Sequence, residues 1–459
     1  MKKGLSLKKW IAAIIGAAVF SGIVSGVLPV QPVYAGSRNG SDTGPGIGLV
    51  TGYETGQPYV NQMKEEELRG VWISYLEWEK MPKDRTGFER AVSQMFDNVV
   101  SWGMNAVFVH VRSHSDAMYP SGYYPWSKFA SGTAGKAPGY DPLAYMIQAA
   151  HSRGLDFHAW LNPYRITGYL MKWEEVPDSS PAKQWLKDGD PSNDRRVLCH
   201  DGAWYYNPSS PEVRELVING VREIVTNYDV DGIHFDDYFY PDLNNEDPSR
   251  WFDLPEYRES GTSLSVSDWR RDNVNQLAAG VYQAVKSVKP QVVFGISPQG
   301  FVDNLRSDKK LFADIDTWMT EGGYVDYIMP QLYWGFETKT SAGTEAPYAF
   351  ANNLNTWIDL KKQGTVKLYL GLAAYRAGTD TKDNTGVSEW LRRDDILKRQ
   401  VEEGRKSGQV SGYCFYSYSS FTGQAAQKEA QNLFPVLRNP KASIVRKLSD
   451  TSDGSVHRQ

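Results

Sequence analysis

Residues 230–240 read VDGIHFDDYFY, a run in which apolar and polar side chains alternate until two aspartates and an aromatic cluster break the pattern. Such alternation belongs to a β-strand, because successive side chains leave its opposite faces. Ile233 and Phe235 then share one face, His234, Asp236 and Tyr238 share the other, and Asp237 lies at the strand's end. Immediately upstream, Ser210 and Pro211 open a helix whose Val213, Val217, Val221, Ile224 and Tyr228 keep the helical period. Downstream, the stretch from Trp269 to Lys289 repeats that period through Val274, Leu277, Val281, Val285 and Val288 before a new apolar run, VVFGISPQG, at 292–300. Strand, helix and strand in this order form a crossover unit of a parallel sheet.

The same alternation extends along most of the chain. Further strand candidates are LRGVWISYLE (68–77), NAVFVHVR (105–112), LDFHAWLNPY (155–164), VDYIMPQLYW (325–334), KLYLGLAAYR (367–376) and SGYCFYSYSS (411–420), which makes eight β-α cycles. Asp141 caps one of the intervening helices, with Pro142 at its first position and Gly154 beyond its end. Eight cycles without internal linker composition predict an α/β fold of the (β/α)8 TIM-barrel class over residues 67–437. Long insertions at 113–140, 165–209 and 241–268 follow the second, third and fourth strands, so they belong over the C-terminal mouth of the barrel.

Composition narrows the function. Of 459 residues, 41% are hydrophobic and 23% charged, which gives enough apolar surface for a large core. The net charge of −4 supplies no basic footprint, and nucleic acid is therefore not expected as a partner. Aromatics reach 13%, with 15 Trp and 27 Tyr, more than a core alone needs, and some should face a ligand. Two cysteines, Cys199 and Cys414, exclude a disulfide scaffold and a four-Cys zinc site; both are expected as buried free thiols, Cys199 in a loop.

The first residues pair a cationic head (Lys2, Lys3, Lys8, Lys9) with a mainly apolar run ending in QPVYAG, where Val33 and Ala35 fit the small-residue positions of a secretory cleavage site. Residues 1–35 are thus expected to be a signal peptide, with 36–66 a flexible linker, 438–459 a disordered tail, and the mature protein secreted to the extracellular or cell-wall space. Removing the signal leaves 46 basic residues against 54 acidic ones, a charge of −8, and no stable membrane insertion.

In a parallel barrel the functional side chains project from the C-terminal strand ends. The strand-four acids Asp236 and Asp237 are the catalytic candidates, because glycosidic cleavage needs one carboxyl to protonate the leaving oxygen and another to support an oxocarbenium-like carbon. Being adjacent, they are expected to point to opposite sides. The same parity on other strands brings in His110 and Arg112, then Trp160 and Asn162, then Gln299, then Gln331 and Tyr333, then Tyr375, beside His234 and Tyr238 on strand four. His114, Arg165, Trp334 and Glu337 come just beyond strand ends. These hydrogen-bonding and aromatic groups suit sugar hydroxyls and ring faces. A metal site built on His110, His114 and Asp116 lacks the helical spacing of a metalloprotease, and no nucleophile elbow or Gly-rich phosphate loop is present. No metal, cofactor or nucleotide is expected.

RGVWIS, NAVFVHVR, YPWS, YDPLAYMIQAAHSRGLDFHAWLNPYR, YYNPSSPEVRELV, YDVDGIHFDDYFYP, WRRDNVNQL, FGISPQG and VDYIMPQLYW together resemble glycosyl-hydrolase-like family 10, from about Leu68 to about Leu437. The resemblance implies a TIM-barrel glycosidase fold, export, and hydrolysis of a bacterial cell-envelope polysaccharide, peptidoglycan glycan strands included. DGIHFDDY is also similar to the DGxDxDxE run of family 18 chitinases, with Asp231 and Asp236 at the first and third acids. Here His234 replaces the middle Asp and Tyr238 stands at the proton-donating Glu, so the acid would be Asp237 or a group such as Glu337. The expectation is a secreted glycoside hydrolase acting on an N-acetylhexosamine-containing glycan by carboxylate acid/base catalysis. The alternative is a non-catalytic glycan-binding protein on the same scaffold.

Overall fold

The computed structural model describes residues 67–168, 170–241, 243, 251–380 and 388–439. The chain divides into Met1–Val60 and Asn61–Gln459, and every described residue falls in the second. The expected signal peptide and linker lie outside the described residues, as does the tail beyond Asn439. Among the described residues no helix is long and apolar enough to cross a membrane.

Eight parallel strands close into the expected barrel: β1 (Leu68–Ile73), β2 (Ala106–Arg112), β3 (Asp156–Leu161), β6 (Gly232–Phe235), β7 (Val293–Ile296), β8 (Tyr327–Ile328), β9 (Lys367–Leu372) and β10 (Val410–Phe415). Around it lie α1 (Arg85–Ser101), α2 (Pro142–His151), α3 (Pro211–Asn227), α4 (Leu254–Ser260), α5 (Val266–Val288), α6 (Phe350–Lys361), α7 (Ile396–Ser407) and α8 (Gln427–Arg438), with shorter helical turns between. Caps fall where the sequence places them: Asp141 accepts from Ala144 N–H and Ser210 from Val213 N–H, each before a proline at the first turn. Strands are shorter than the alternating runs suggest, because polar residues at the C-terminal ends leave the hydrogen-bonded ladder to form the mouth. The insertion 165–209 holds an antiparallel hairpin, β4 (Val197–His200) with β5 (Ala203–Tyr206), that was not expected. Cys199 therefore sits on a strand opposite Trp204 and is exposed, contrary to expectation, whereas Cys414 is buried inside the barrel; both thiols are free.

Alternation sorts each strand between two cores. Val71, Val107, Ala159, Ile233, Phe294, Leu370 and Phe415 pack outward beneath the helices. Trp72, Phe108, Trp160, Tyr327, Tyr369 and Cys414 fill the barrel itself. That interior is ring upon ring: Phe108 stacks on His158 at 4.3 Å, and His234 lies 6.0 Å from Tyr327 at 12°. Inward-facing glycines make this possible. A Cβ on Gly232 would meet the His158 ring at 2.2 Å, and one on Gly295 the Tyr327 ring at 2.2 Å. Gly232→Ala is expected to cost about 1–3 kcal/mol by overpacking. Denaturant unfolding measures it, and an unchanged midpoint would show that the rings can yield.

The N-terminal barrel end is bound by side chains that catch neighbouring strands. Asp231 Oδ2 accepts from Phe157 N–H at 2.7 Å and contacts His151 Nε2 at 2.9 Å, and Asp326 accepts from Phe294 N–H at 2.7 Å. Asp231, which matched the first acid of the chitinase run, thus supports the barrel from the end opposite the mouth.

Candidate active site

The β6 ladder stops at Phe235, and Asp236 and Asp237 follow where the chain turns, so strand alternation no longer sets their directions. Instead of diverging, the two carboxyls interact directly, and Asp237 N–H donates to Asp236 Oδ1 at 2.8 Å. Gln331 Nε2 donates both to Asp236 Oδ1 (3.2 Å) and to Ser297 O (3.0 Å), which fixes the Asp236 carboxylate against β7. Burial raises the pKa of Asp236, opposed by hydrogen bonds from Asp237 and by the Arg165 charge. Asp237 is held well above the ordinary carboxylate range, by burial first and then by the negative charge of Asp236. Two acids in contact do not ionise together, so the pair loses one proton readily and keeps the other to higher pH.

Rings surround the pair. Trp160 stacks on His110 at 3.4 Å and stands 6.5 Å from both Trp72 and Tyr416. Tyr333, Tyr375 and Tyr416 meet at 5.8–6.4 Å, and the Asp236 charge reaches Tyr333 and Tyr416. The Arg165 guanidinium lies 4.2 Å from the centroid of Tyr238, which is exposed at the rim. Burial pushes His110 and His114 well below the ordinary imidazole range, with Arg165 adding to the effect, so both are neutral. Asn162 donates to Ser113 O at 2.9 Å, His114 Nδ1 lies 2.9 Å from Ser113 Oγ, and Gln299 accepts from Asn304 at 3.0 Å.

Other candidates are placed elsewhere. His234 is fully buried beneath the acids: Trp72 Nε1 donates to its Nε2 at 3.1 Å, which leaves the proton on Nδ1 to donate to Tyr327 Oη at 3.0 Å. Burial keeps this imidazole neutral and lowers that of His158 to about 4. Arg112 departs from its parity because the β2–β3 register shifts between His110 and Arg112, pairing Arg112 with the outward Leu161. It lies over Tyr124 at 4.4 Å, against α3, rather than in the mouth. Glu337 is exposed and paired with Arg392, while Trp334 packs on Tyr348 at 5.4 Å and offers its carbonyl to Gln400. Among the described residues no three His, Cys, Asp or Glu side chains gather to hold a metal ion. His114 and Asp116 are tied into the loop itself, Asp116 accepting from His114 N–H at 3.1 Å.

Trp72, Tyr75, Tyr205 and Tyr416 were not among the candidates. Trp72 and Tyr416 obey the same inward parity, each two residues past an inward Gly70 or Cys414, and reading β1 and β10 for it would have found both. Glu77 fixes the floor from the side: its carboxylate accepts from Ser74 N–H (2.9 Å) and Ser417 Oγ (2.9 Å), joining the loops after β1 and β10 beside Tyr416.

Comparison with known proteins bears on the family and the fold. Residues 67–389 match the model of the family described as glycosyl hydrolase-like 10. Glycosyl hydrolase YngK of Bacillus subtilis (strain 168) is 37% identical over 366 residues, which cover 74% of this chain and 67% of that protein. Glycosyl hydrolase DigH of Escherichia coli (strain K12) is 34% identical over 390 residues, 77% of this chain and 84% of that protein. Among solved structures, the PgaB (BpsB) glycoside hydrolase domain from Bordetella bronchiseptica superposes with a TM-score of 0.53 at 15% identity, covering 81% of this chain and 99% of that one. At that identity the likeness speaks for the barrel alone. The family match and the two relatives carry more: the function is of glycoside hydrolase type, and the chain belongs to the glycosyl hydrolase-like 10 family.

Proposed function

We propose that the protein is an exported glycoside hydrolase cutting an N-acetylhexosamine-containing glycan of the bacterial cell envelope, peptidoglycan strands in particular, with Asp237 as general acid and Asp236 as the supporting carboxylate. The observation that carries this reading is the pair of acids at the end of β6, in which Asp236 accepts from Asp237 N–H and from Gln331 and is thereby favoured as the carboxylate, leaving the pair's proton to Asp237. Asp237 gives its proton to the glycosidic oxygen as the bond from that oxygen to the anomeric carbon breaks. Asp236, held by Gln331, steadies the positive charge left on the sugar, directly or by orienting an acetamido group at C2. Water then adds to the anomeric carbon, and its proton returns to Asp237. The half-buried Tyr333, Tyr375 and Tyr416 offer flat apolar faces to sugar rings and to an acetamido methyl.

The test is mass spectrometry of soluble products after incubation with intact peptidoglycan, peptide-stripped glycan strands and chitin oligomers. Product from one substrate that disappears in both Asp236→Asn and Asp237→Asn is the expected outcome. Saturable glycan binding without new reducing ends would replace the hydrolase with a binding protein on the same scaffold.

A further inference from the structure

We propose that Arg165 binds a carboxylate carried by the glycan, so that the sugar seated beside the acids is an acidic one. This rests on the hydrolase reading above and names a substrate feature that the two catalytic acids do not specify.

Among the described residues Arg165 makes no hydrogen bond and no ion pair, although it is half-buried. Arg270 is paired with Asp253 and Arg405 with Glu67 at 2.6 Å, while the terminal nitrogens of the buried Arg112 have no acceptor but face α3 rather than the mouth. Being only half-buried, the Arg165 guanidinium keeps its five donors within reach of an incoming acceptor. Its position is nonetheless built. The backbone of Arg165 bridges antiparallel to Tyr205, and the next two N–H groups both donate to Trp204 O, at 3.0 and 3.1 Å. Its head lies on the Tyr238 ring at 4.2 Å, a contact that holds a cation while leaving its hydrogen-bond donors unspent. Burial pushes Tyr205 above the ordinary phenol range, so this neighbour stays uncharged.

Asp236 is near enough to feel this charge but makes no ion pair with it. The cation is therefore presented beside the acids and left for an incoming acceptor. A carboxylate fits best, being planar, bidentate towards guanidinium and singly charged. A dianionic phosphate in the same place would meet the Asp236 charge with only one cation to balance it.

The test compares two forms of one probe: peptide-stripped glycan strands with their side-arm carboxylates free, and the same strands with those carboxylates converted to methylamides. Wild type is expected to favour the free acid by at least about tenfold in kcat/KM and in Kd. Arg165→Gln is expected to bring both ratios to about one, whatever its absolute activity, and Arg165→Lys to retain part of the preference. A uronate-bearing oligosaccharide treated in the same way separates a ring carboxylate from one on a side arm. An unchanged ratio in Arg165→Gln, or a wild-type ratio near one for every probe, overturns the proposal. Should the Gln variant not fold, Arg165→Met, which keeps the stem over Tyr238, carries the same comparison. Absence of turnover would sink the hydrolase reading alone, because the calorimetric Kd ratio still decides the carboxylate.

Discussion

Asp237→Asn is expected to lower kcat on a natural glycan by about 10²–10⁴-fold with little change in KM, the loss appropriate to removing a general acid. On an aryl glycoside with an acidic phenol as leaving group, the loss should shrink to less than about tenfold, because a departing oxygen that is already stable as an anion needs little protonation. Equal losses on the two substrates would move the acid elsewhere. In wild type the basic limb of the rate profile should report Asp237 losing its proton, and that limb should vanish in the variant. The same substitution bears on stability. Burial and the Asp236 charge raise the folded-state pKa of Asp237 above its unfolded value. Its contribution to stability is therefore complete in acid and is lost as pH rises through the folded pKa. The Asn variant, which has no such ionisation, should unfold at a higher temperature than wild type in mildly alkaline buffer and approach it in acid, as a thermal scan at several pH values would reveal.

Asp236→Asn is expected to be as damaging and to differ in kind. Without the carboxylate that steadies the sugar cation, the loss should be about 10²-fold or more on natural and aryl substrates alike. Removing the like charge beside Asp237 should also lower the pKa of that acid, so whatever activity persists should have its basic limb at lower pH than wild type. Steady-state kinetics across pH measures both effects. Full activity, or a basic limb that stays in place, would remove Asp236 from the role assigned to it.

Much of the barrel was legible because a parallel sheet writes itself twice, once in alternating strands and again in the helical period between them. Ile233 against His234, and Val213 through Ile224, are two such signals. The site was legible to the extent that its residues obey strand parity, as Trp160, Tyr333 and Gln331 do. It failed where the backbone leaves the ladder. A register shift turned Arg112 outward, and the turn after Phe235 brought together two aspartates that parity would have separated. The role of His234 was also hidden, because its partners Trp72 and Tyr327 are 162 and 93 residues away and no local pattern announces them. Tyr205 came from a hairpin inside a stretch whose composition reads as loop, and its link to Arg165 exists only across the fold.

The excursion between β3 and α3 leaves and rejoins the barrel at one place. Tyr206 N–H donates to Tyr164 O at 2.8 Å, and Arg165 bridges Tyr205, so departing and returning chain run side by side. A segment whose ends already touch can lengthen, shorten or be replaced during descent without disturbing the strands on either side. It acts as a cassette, and it carries both Arg165 and Tyr205 while the acids stay behind at the end of β6. Exchange of this one piece would change what stands beside the acids without touching the strands that hold them.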